Sequence, residues 1–273
     1  MAELIHIIIG TIAIIAIIAY CVSRLLLSGK IAARRRSRAA LLVGMAGSGK
    51  TTLFAQLVAG KRVAVRTSME ANRGDVKASG STDNADSSQV STGVTLIDFP
   101  GHRRLRESLL EAVEEVKKVI FVVDSVTIQD PHEGAEAVAE LMVAVLSSPA
   151  FYGVEQVMVA CTKRDELTSY SAKSVQKLLE KEITHCLTTR SGGAQRIENI
   201  VNASGVAVGL SKSKYGRGSG AANSRSHEVS LDESGKFSFS AFAVPVHFAD
   251  ISSFVGVEEN LYNVEPVREF VIC

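Results

Sequence analysis

The 273-residue sequence contains no tryptophan, and aromatic residues make up only 5% of it. This scarcity argues against a stacking surface for single-stranded nucleic acid. Cysteine is also rare, and no two cysteines form a CxxC pair. The four are widely spaced along the chain: Cys21, Cys161, Cys186 and Cys273. We therefore expect buried or free thiols in a reducing compartment, and neither a disulfide framework nor a structural zinc site.

Acidic residues are missing from the first 38 positions except for Glu3. Residues 24–38 hold six basic side chains, whereas the chain after residue 38 has four more acidic than basic residues. A mildly acidic body with a short basic segment is not typical of nucleic-acid binding, so we expect no direct nucleic-acid partner. The overall composition, 46% hydrophobic and 22% charged, is that of a folded chain.

One long apolar run precedes the basic segment. Leu4–Val22 comprises 19 residues without Asp, Glu, Lys or Arg, close to the roughly 20 that cross a bilayer. Because positive charge is retained on the cytoplasmic side, the N-terminus should face the lumen or exterior and the rest the cytosol. The alternative is a cleaved signal peptide, which normally has its positive charge before the apolar run. We predict an uncleaved transmembrane signal anchor over 1–23 and a basic juxtamembrane linker over 24–38 that contacts anionic lipid.

The remaining residues, 39–273, alternate apolar strand-like runs with amphipathic helical segments. Strands are predicted at Ala39–Val43, Val94–Phe99, Val119–Val123, Val157–Cys161 and Val244–Phe248, with a weak strand near Arg73–Ser79. Helices are predicted at 49–58, 103–116, 134–146, 171–187 and 260–271. This alternation predicts one α/β domain, with a mainly parallel six-stranded sheet covered by helices on both faces. The Ser- and Gly-rich stretch at about 188–236 is expected to be a flexible insertion.

The first chemical motif is a phosphate-binding loop. Gly44–Thr51 reads GMAGSGKT and fits GxxxxGK[ST], between a predicted strand and a predicted helix. Its glycines let the backbone wrap a phosphate, and its N–H groups present positive potential to it. Lys50 is expected to reach the β- and γ-phosphates and Thr51 to ligate Mg²⁺; the alternative is a chance glycine-rich turn. The nucleotide-binding candidates here are Gly44, Met45, Ala46, Gly47, Ser48, Gly49, Lys50, Thr51 and Thr52.

A second motif, DFPGH, spans Asp98–His102 at the end of a predicted strand. Asp98 is expected to hold the Mg²⁺ water shell, and the N–H of Gly101 to contact a γ-phosphate. Thr67, in the polar segment between the two motifs, is a candidate second Mg²⁺ ligand; the alternative is an ordinary loop threonine.

A third motif, TKRD, follows the predicted strand that ends at Cys161. The carboxylate of Asp165 can accept hydrogen bonds from guanine N1–H and N2–H₂, a pattern that adenine lacks. The stem of Lys163 can cover the base, and Thr162 begins the motif. The alternative is a solvated charged turn. The motif predicts GTP and GDP, with Mg²⁺, rather than ATP.

Taken in order, GMAGSGKT, Thr67, DFPGH and TKRD resemble the small GTPases of the Ras/Arf superfamily, and the DxPGH form is closer to the Arf/Sar branch. With the N-terminal anchor, residues 1–187 and 237–271 resemble the β-subunit family of the signal recognition particle receptor. That resemblance implies a GTP-binding subunit, single-pass in the endoplasmic reticulum membrane, with its GTPase domain in the cytosol. In its GTP state it would tether the receptor α subunit for cotranslational protein targeting.

The resemblance also implies two further site residues. Ser252 would begin the last guanine-contacting loop, where the family usually has Ser-Ala and this chain has Ser-Ser. His102 stands where Ras-like enzymes carry a water-orienting glutamine, so it is a catalytic candidate. We expect the protein's intrinsic GTP hydrolysis to be slow. The alternative is that His102 is only a surface residue after a Pro-Gly turn. Thr162 replaces the usual asparagine of the base motif.

Three other functions fit parts of the pattern. An Arf/Sar-like GTPase that recruits a coat would normally attach through a lipidated or amphipathic helix, and position 2 is Ala2 rather than the glycine that myristoylation requires. A membrane-bound P-loop ATPase or kinase would show no preference for guanine. A scaffold with a vestigial site is disfavoured by the intact Lys50 and Thr51.

Overall fold

The computed structural model describes residues 37–61, 63, 65, 67–76, 93–130, 134–204, 229, 231–232, 234–253 and 263–273, with the backbone alone at 191–204. The predicted span at 4–22 and most of the basic linker lie outside these residues and stay predictions. Among the helices of the described ranges, none is both long and apolar enough to cross a membrane.

The described ranges contain six strands, which form a single sheet. They are β1 Ala39–Val43, β2 Asn72–Val76, β3 Val94–Asp98, β4 Lys118–Asp124, β5 Gln156–Thr162 and β6 Val246–Asp250. Their order is β2-β3-β1-β4-β5-β6. The edge strand β2 pairs antiparallel with β3, and the other four pairings are parallel. The predicted mainly parallel six-stranded sheet is therefore confirmed.

In the described ranges, five α-helices cover the sheet. They are α1 Lys50–Ala59, α2 Arg106–Glu114, α3 Ala135–Leu146, α4 Ala172–Ser204 and α5 Glu265–Ile272. The sequence predicts one continuous helix from 103. In the structure, a 3₁₀ turn at Arg103–Leu105 leads into α2.

Both faces of the sheet are buried. Leu41 and Val43 of β1 pack into one core with α2, α3 and α4, whereas Ala40 and Leu42 pack into a second core with α1 and α5. Because successive strand residues point to opposite faces, a strand covered on both sides must be apolar throughout. This explains why β1, β4 and β5 read as continuous apolar runs rather than alternating ones.

The helix predicted at 171–187 is longer than expected, since α4 continues to Ser204. The prediction that a loop begins at 188 is therefore wrong. Ser-Gly-Gly at 191–193 weakens helix propensity, but it includes no proline, so the helical hydrogen-bond ladder can continue through it. The chain directly after the predicted insertion packs against α4: Phe237 is 4% exposed, and its N–H donates to Thr184 Oγ1 of α4 at 3.0 Å.

Two other element boundaries differ from the predictions because of proline. Strand β6 begins at Val246, after Pro245, which cannot donate to a ladder. Helix α5 begins at Glu265 rather than at 260, with Pro266 in its first turn, where its fixed φ and missing N–H are tolerated. The weak strand predicted near 73–79 is the edge strand β2.

Candidate nucleotide-binding site

The three sequence motifs lie at one edge of the sheet. Gly44–Gly49 joins β1 to α1, Phe99–His102 follows β3, and Lys163–Asp165 follows β5. The loop after β6, Ile251–Ser253, ends at the same edge, since β6 runs parallel to β5. Ligands of open parallel sheets bind outside the carboxyl ends of the strands, so the topology places every motif where one nucleotide could contact them all.

Among the hollows that the described residues form at this edge, two adjoin each other. The larger, of about 590 Å³, is lined by the phosphate loop, the start of α1 and the segments around Thr67 and Gly101. The smaller, of about 280 Å³, is lined by Gly49, Thr52, Thr162, Lys163, Asp165, Glu166 and Ser253. Gly49, Thr52 and Lys163 line both. The larger hollow is lined by the predicted phosphate-binding residues and the smaller one by the predicted base-recognition residues.

The phosphate loop has the backbone that its glycines predict. Gly47 and Gly49 have φ angles of 78° and 89°, in the left-handed region that side chains rarely adopt. This conformation turns the chain into α1, whose first residue is Lys50. The N-terminus of the helix is thereby presented to the larger hollow, which favours an anion.

Lys50 is a buried cation. It is 6% exposed, and its Nζ donates to the carbonyl oxygen of Met45 at 2.6 Å. Burial lowers the pKa of Lys50 to about 8, although the negative charge of Asp98 opposes the shift. In the described ranges no carboxylate lies within ion-pair distance of Nζ, so a phosphate group would supply the anionic partner that a buried ammonium requires.

Asp98 and Thr51 have the geometry of a magnesium site. Thr51 Oγ1 donates to Asp98 Oδ2 at 2.7 Å, and Asn72 Nδ2 donates to the same oxygen at 3.2 Å. Asp98 is fully buried, and its Oδ1 has no hydrogen-bond partner among the described residues. A buried carboxylate oxygen beside a hydroxyl suits a hard cation with oxygen ligands and retained waters. The residues present therefore fit Mg²⁺.

The segment that carries Thr67 approaches the site differently from the prediction. Thr67 is exposed and lines the larger hollow, but its neighbour Ser68 makes the contact, with Oγ 3.0 Å from Thr51 Oγ1. Sequence reasoning missed Ser68 and Asn72. Asn72 is opposite Asp98 in the β2–β3 register. Its role beside Asp98 could therefore be recognised only once the pairing of β2 was known.

Gly101 and His102 differ in their placement. A Cβ on Gly101 would lie 2.5 Å from the carbonyl oxygen of Gly44, so the backbone at Gly101 packs directly against the phosphate loop. His102 does not line the larger hollow; its Nδ1 accepts a hydrogen bond from the N–H of Arg104 at 3.2 Å and caps the 3₁₀ turn. A catalytic role for His102 stays a prediction.

The residues predicted to recognise the base lie close together. Ser252 Oγ donates to Asp165 Oδ1 at 2.6 Å, and Ser252 is 1% exposed. Thr162 Oγ1 lies 2.9 Å from the carbonyl oxygen of Ser48 and 3.0 Å from that of Val123. The loop after β5 is thus linked to both the loop after β6 and the phosphate loop.

Lys163 has a left-handed backbone, with φ of 60°, which is uncommon outside glycine. Its Nζ lies 2.6 Å from Asp124 Oδ2 at the end of β4. Asp124 was missed in the sequence, although it pairs with Thr162 in the β4–β5 register. The ion pair holds the lysine stem beside the smaller hollow, where it can cover a base.

This fold and this site define a class: a P-loop nucleotide-binding protein built on the sheet of the small GTPases. The chain belongs to the signal recognition particle receptor beta subunit family, whose model matches residues 35–243.

Individual relatives agree with this assignment. The rat receptor subunit beta is 35% identical over 168 residues, which are 61% of this chain and 58% of the rat chain. The human subunit is 33% identical over 172 residues, 62% of this chain and 59% of the human one. The matched region thus spans somewhat over half of these relatives. A structure of the mammalian receptor superposes with a TM-score of 0.60 at 26% identity, covering 85% of this chain and 97% of that one.

A Chaetomium thermophilum complex, titled SRb-GTP/SRX, has a TM-score of 0.57 at 18% identity and covers 85% of this chain and 96% of its own. At this identity the likeness concerns the fold. The Arf/Sar-like alternative is not favoured, since the family model and the curated relatives are receptor β subunits.

Proposed function

We propose that this chain is the GTP-binding, membrane-anchored subunit that tethers the signal recognition particle receptor α subunit to the endoplasmic reticulum membrane. It binds the α subunit in its GTP state and serves cotranslational protein targeting. The observation that carries the proposal is the family match over 35–243, which includes the phosphate loop, Asp98 and the base motif. Related structures support it, because one is an SRb-GTP/SRX complex and another is SRb with GDP and Mg.

In this proposal the site residues act as follows. Lys50 pairs with the β- and γ-phosphates, and Thr51 with Asp98 holds Mg²⁺ and its waters. When bound, Mg²⁺ neutralises charge on the phosphates. Asp165 accepts from the guanine edge while Ser252 holds one of its oxygens. Thr67 is proposed as a ligand of the nucleotide-bound state only, as part of a segment that responds to the γ-phosphate.

Hydrolysis is proposed to be slow. His102 is the residue at the water-orienting position, and its Nδ1 is already an acceptor for the N–H of Arg104. Only Nε2 is then available to a water, and the side chain lies outside the lining of the larger hollow. GTP would persist until another protein completes the site.

The membrane part of the proposal concerns residues outside the described ranges. A single-pass anchor over 1–23 and a basic linker over 24–38 would hold the GTPase domain, 39–273, on the cytosolic side. Support comes from the uncharged 19-residue run at 4–22 and the basic residues that follow it.

One capture experiment tests both the preference for guanine and the dependence of α-subunit binding on GTP. The full chain in detergent is loaded with a non-hydrolysable GTP analogue, a xanthosine triphosphate analogue, an ATP analogue or GDP, and capture of the α subunit is measured. Wild type should capture only with the GTP analogue. Asp165→Asn should capture best with the xanthosine analogue, because an amide can donate to the additional carbonyl of xanthine.

The matched controls are two lysine variants. Lys50→Ala should abolish capture, whereas Lys117→Ala, at the opposite edge of the sheet, should leave it intact. Equal capture with the GTP analogue and GDP would show a passive anchor, and equal capture with the ATP analogue would refute the guanine assignment.

A further inference from the structure

Arg164, the third residue of the base motif, does not line either half of the candidate site. Its side chain is 13% exposed, and its Nε lies 2.9 Å from Asp250 Oδ1. Its Nη1 donates to the carbonyl oxygen of Ser169 at 2.8 Å and to Ser169 Oγ at 2.6 Å. The guanidinium of this motif residue therefore binds the end of β6 and the later part of its own loop rather than a ligand.

Asp250 connects Arg164 to two further elements. It is the last residue of β6, and its Oδ1 also accepts from the N–H of Ala172 at the start of α4, at 2.8 Å. The N–H of Arg164 donates to the carbonyl oxygen of Ile251 at 3.3 Å. The loop after β5 is thus joined to the loop after β6 by one side-chain ion pair and one backbone hydrogen bond.

The residues that follow this junction are the base-recognition residues. Asp165 comes directly after Arg164, and Ser252 comes two residues after Asp250. The 2.6 Å bond from Ser252 Oγ to Asp165 Oδ1 closes the ring formed by these contacts. A displacement of either loop would move the Asp165 carboxylate relative to a bound base.

We propose that the Arg164–Asp250 pair is a positioning device for guanine recognition, which holds Asp165 and Ser252 in one fixed geometry. The inference rests on the proposed function. Removing one partner of a half-buried pair leaves the other charge without compensation, which disturbs its surroundings more than the pair itself contributes. The effect should fall on the base contacts and not on the phosphate contacts, because Lys50 and Thr51 lie at the start of α1, outside both loops.

The test compares GTP with ITP, which lacks the 2-amino group of guanine. Asp165 must be placed well to accept from both N1–H and the 2-amino group, so the affinity ratio of GTP to ITP reports its position. Arg164→Ala in the full chain should lower GTP affinity by about tenfold or more, the size expected for losing a charged hydrogen bond. ITP affinity should fall less, so the ratio should shrink.

Two further variants distinguish positioning from general stabilisation. Arg164→Lys can still pair with Asp250 but cannot fork to Ser169, so it should recover part of the ratio. Asp250→Asn should lower the ratio as Arg164→Ala does, and the double variant should add little, since coupled residues are non-additive. If Arg164→Ala does not fold, Arg164→Lys and Asp250→Asn allow the same comparison of GTP and ITP affinities.

The matched control is Arg73→Ala, which removes an arginine paired with Glu115 at 3.1 Å, away from both base loops. Its GTP to ITP ratio should equal that of wild type. If Arg164→Ala lowers GTP and ITP affinity equally, or lowers only the melting temperature, the pair is merely structural and the inference is overturned. If wild type binds no guanine nucleotide, the proposed function fails first, and this inference with it.

Discussion

Among single residues, Lys50 shows how a binding site costs stability. Its pKa is lowered from 10.5 to about 8, mainly because burial disfavours the ammonium. Between these two pH values the unfolded chain binds more protons than the folded one, so this residue makes stability rise with pH. Below pH 8 the nucleotide-free fold carries the full penalty of the buried charge, and near pH 10.5 the penalty is gone.

Lys50→Met should therefore stabilise the nucleotide-free protein at pH 7, by up to about 3 kcal/mol if the whole pKa shift is recovered. The gain should shrink towards zero as the pH rises to 10.5, while nucleotide binding is lost at every pH. Urea denaturation across this pH range measures it. The control is Lys61→Met, which changes an exposed lysine. A destabilised Lys50→Met protein at pH 7 would contradict the account.

At the scale of elements, α4 holds the returning chain in place. Thr184 Oγ1 accepts from the N–H of Phe237, and Glu180 Oε1 accepts from the N–H of Phe239 at 3.0 Å. Both phenylalanines are buried, and their rings lie 5.0 Å apart in an edge-to-face arrangement. The segment that leads into β6 is therefore part of the core, directly after the Ser- and Gly-rich stretch that is predicted to be a flexible insertion.

Thr184→Val should destabilise the fold by about 1–3 kcal/mol, because it leaves the buried N–H of Phe237 without an acceptor. Nucleotide affinity should not change, since the contact is remote from the phosphate and base loops. The matched control, Thr188→Val, removes a hydroxyl one turn further along, where it bonds to carbonyl oxygens of its own helix. Thermal denaturation of both variants measures their stability. Equal losses of stability would mean that the contact with Phe237 does not stabilise the fold.

For the whole molecule, the charge order along the chain predicts the topology. The basic residues of 24–38 should retain everything after them in the cytosol, with the short N-terminus in the lumen. Protease added to sealed microsomes should then digest the GTPase domain and spare only the anchor, with detergent-opened microsomes as the control. A protected product of nearly full length would contradict both the topology and the tethering role.

Much of the fold and the phosphate site could be predicted because the signals are local. Gly44–Thr51 is one continuous stretch whose spacing alone specifies the loop, and strands buried on both faces must be apolar throughout. Boundaries were predicted less well where a weak signal competed with packing. The Ser-Gly-Gly at 191–193 did not end α4, and Val229, inside the predicted insertion, is buried in the core.

The sequence by itself thus determined the order of the elements, the phosphate loop and the type of base that the TKRD motif suits. Only the tertiary structure showed that Asp124 and Asn72 support those motifs. Asp124 lies 39 positions from Lys163, and Asn72 lies 26 positions from Asp98. Such pairs meet only because parallel strands bring their carboxyl ends to one edge and β2 adopts one register with β3. Spacing along the chain encodes neither event, since both depend on how the whole sheet pairs.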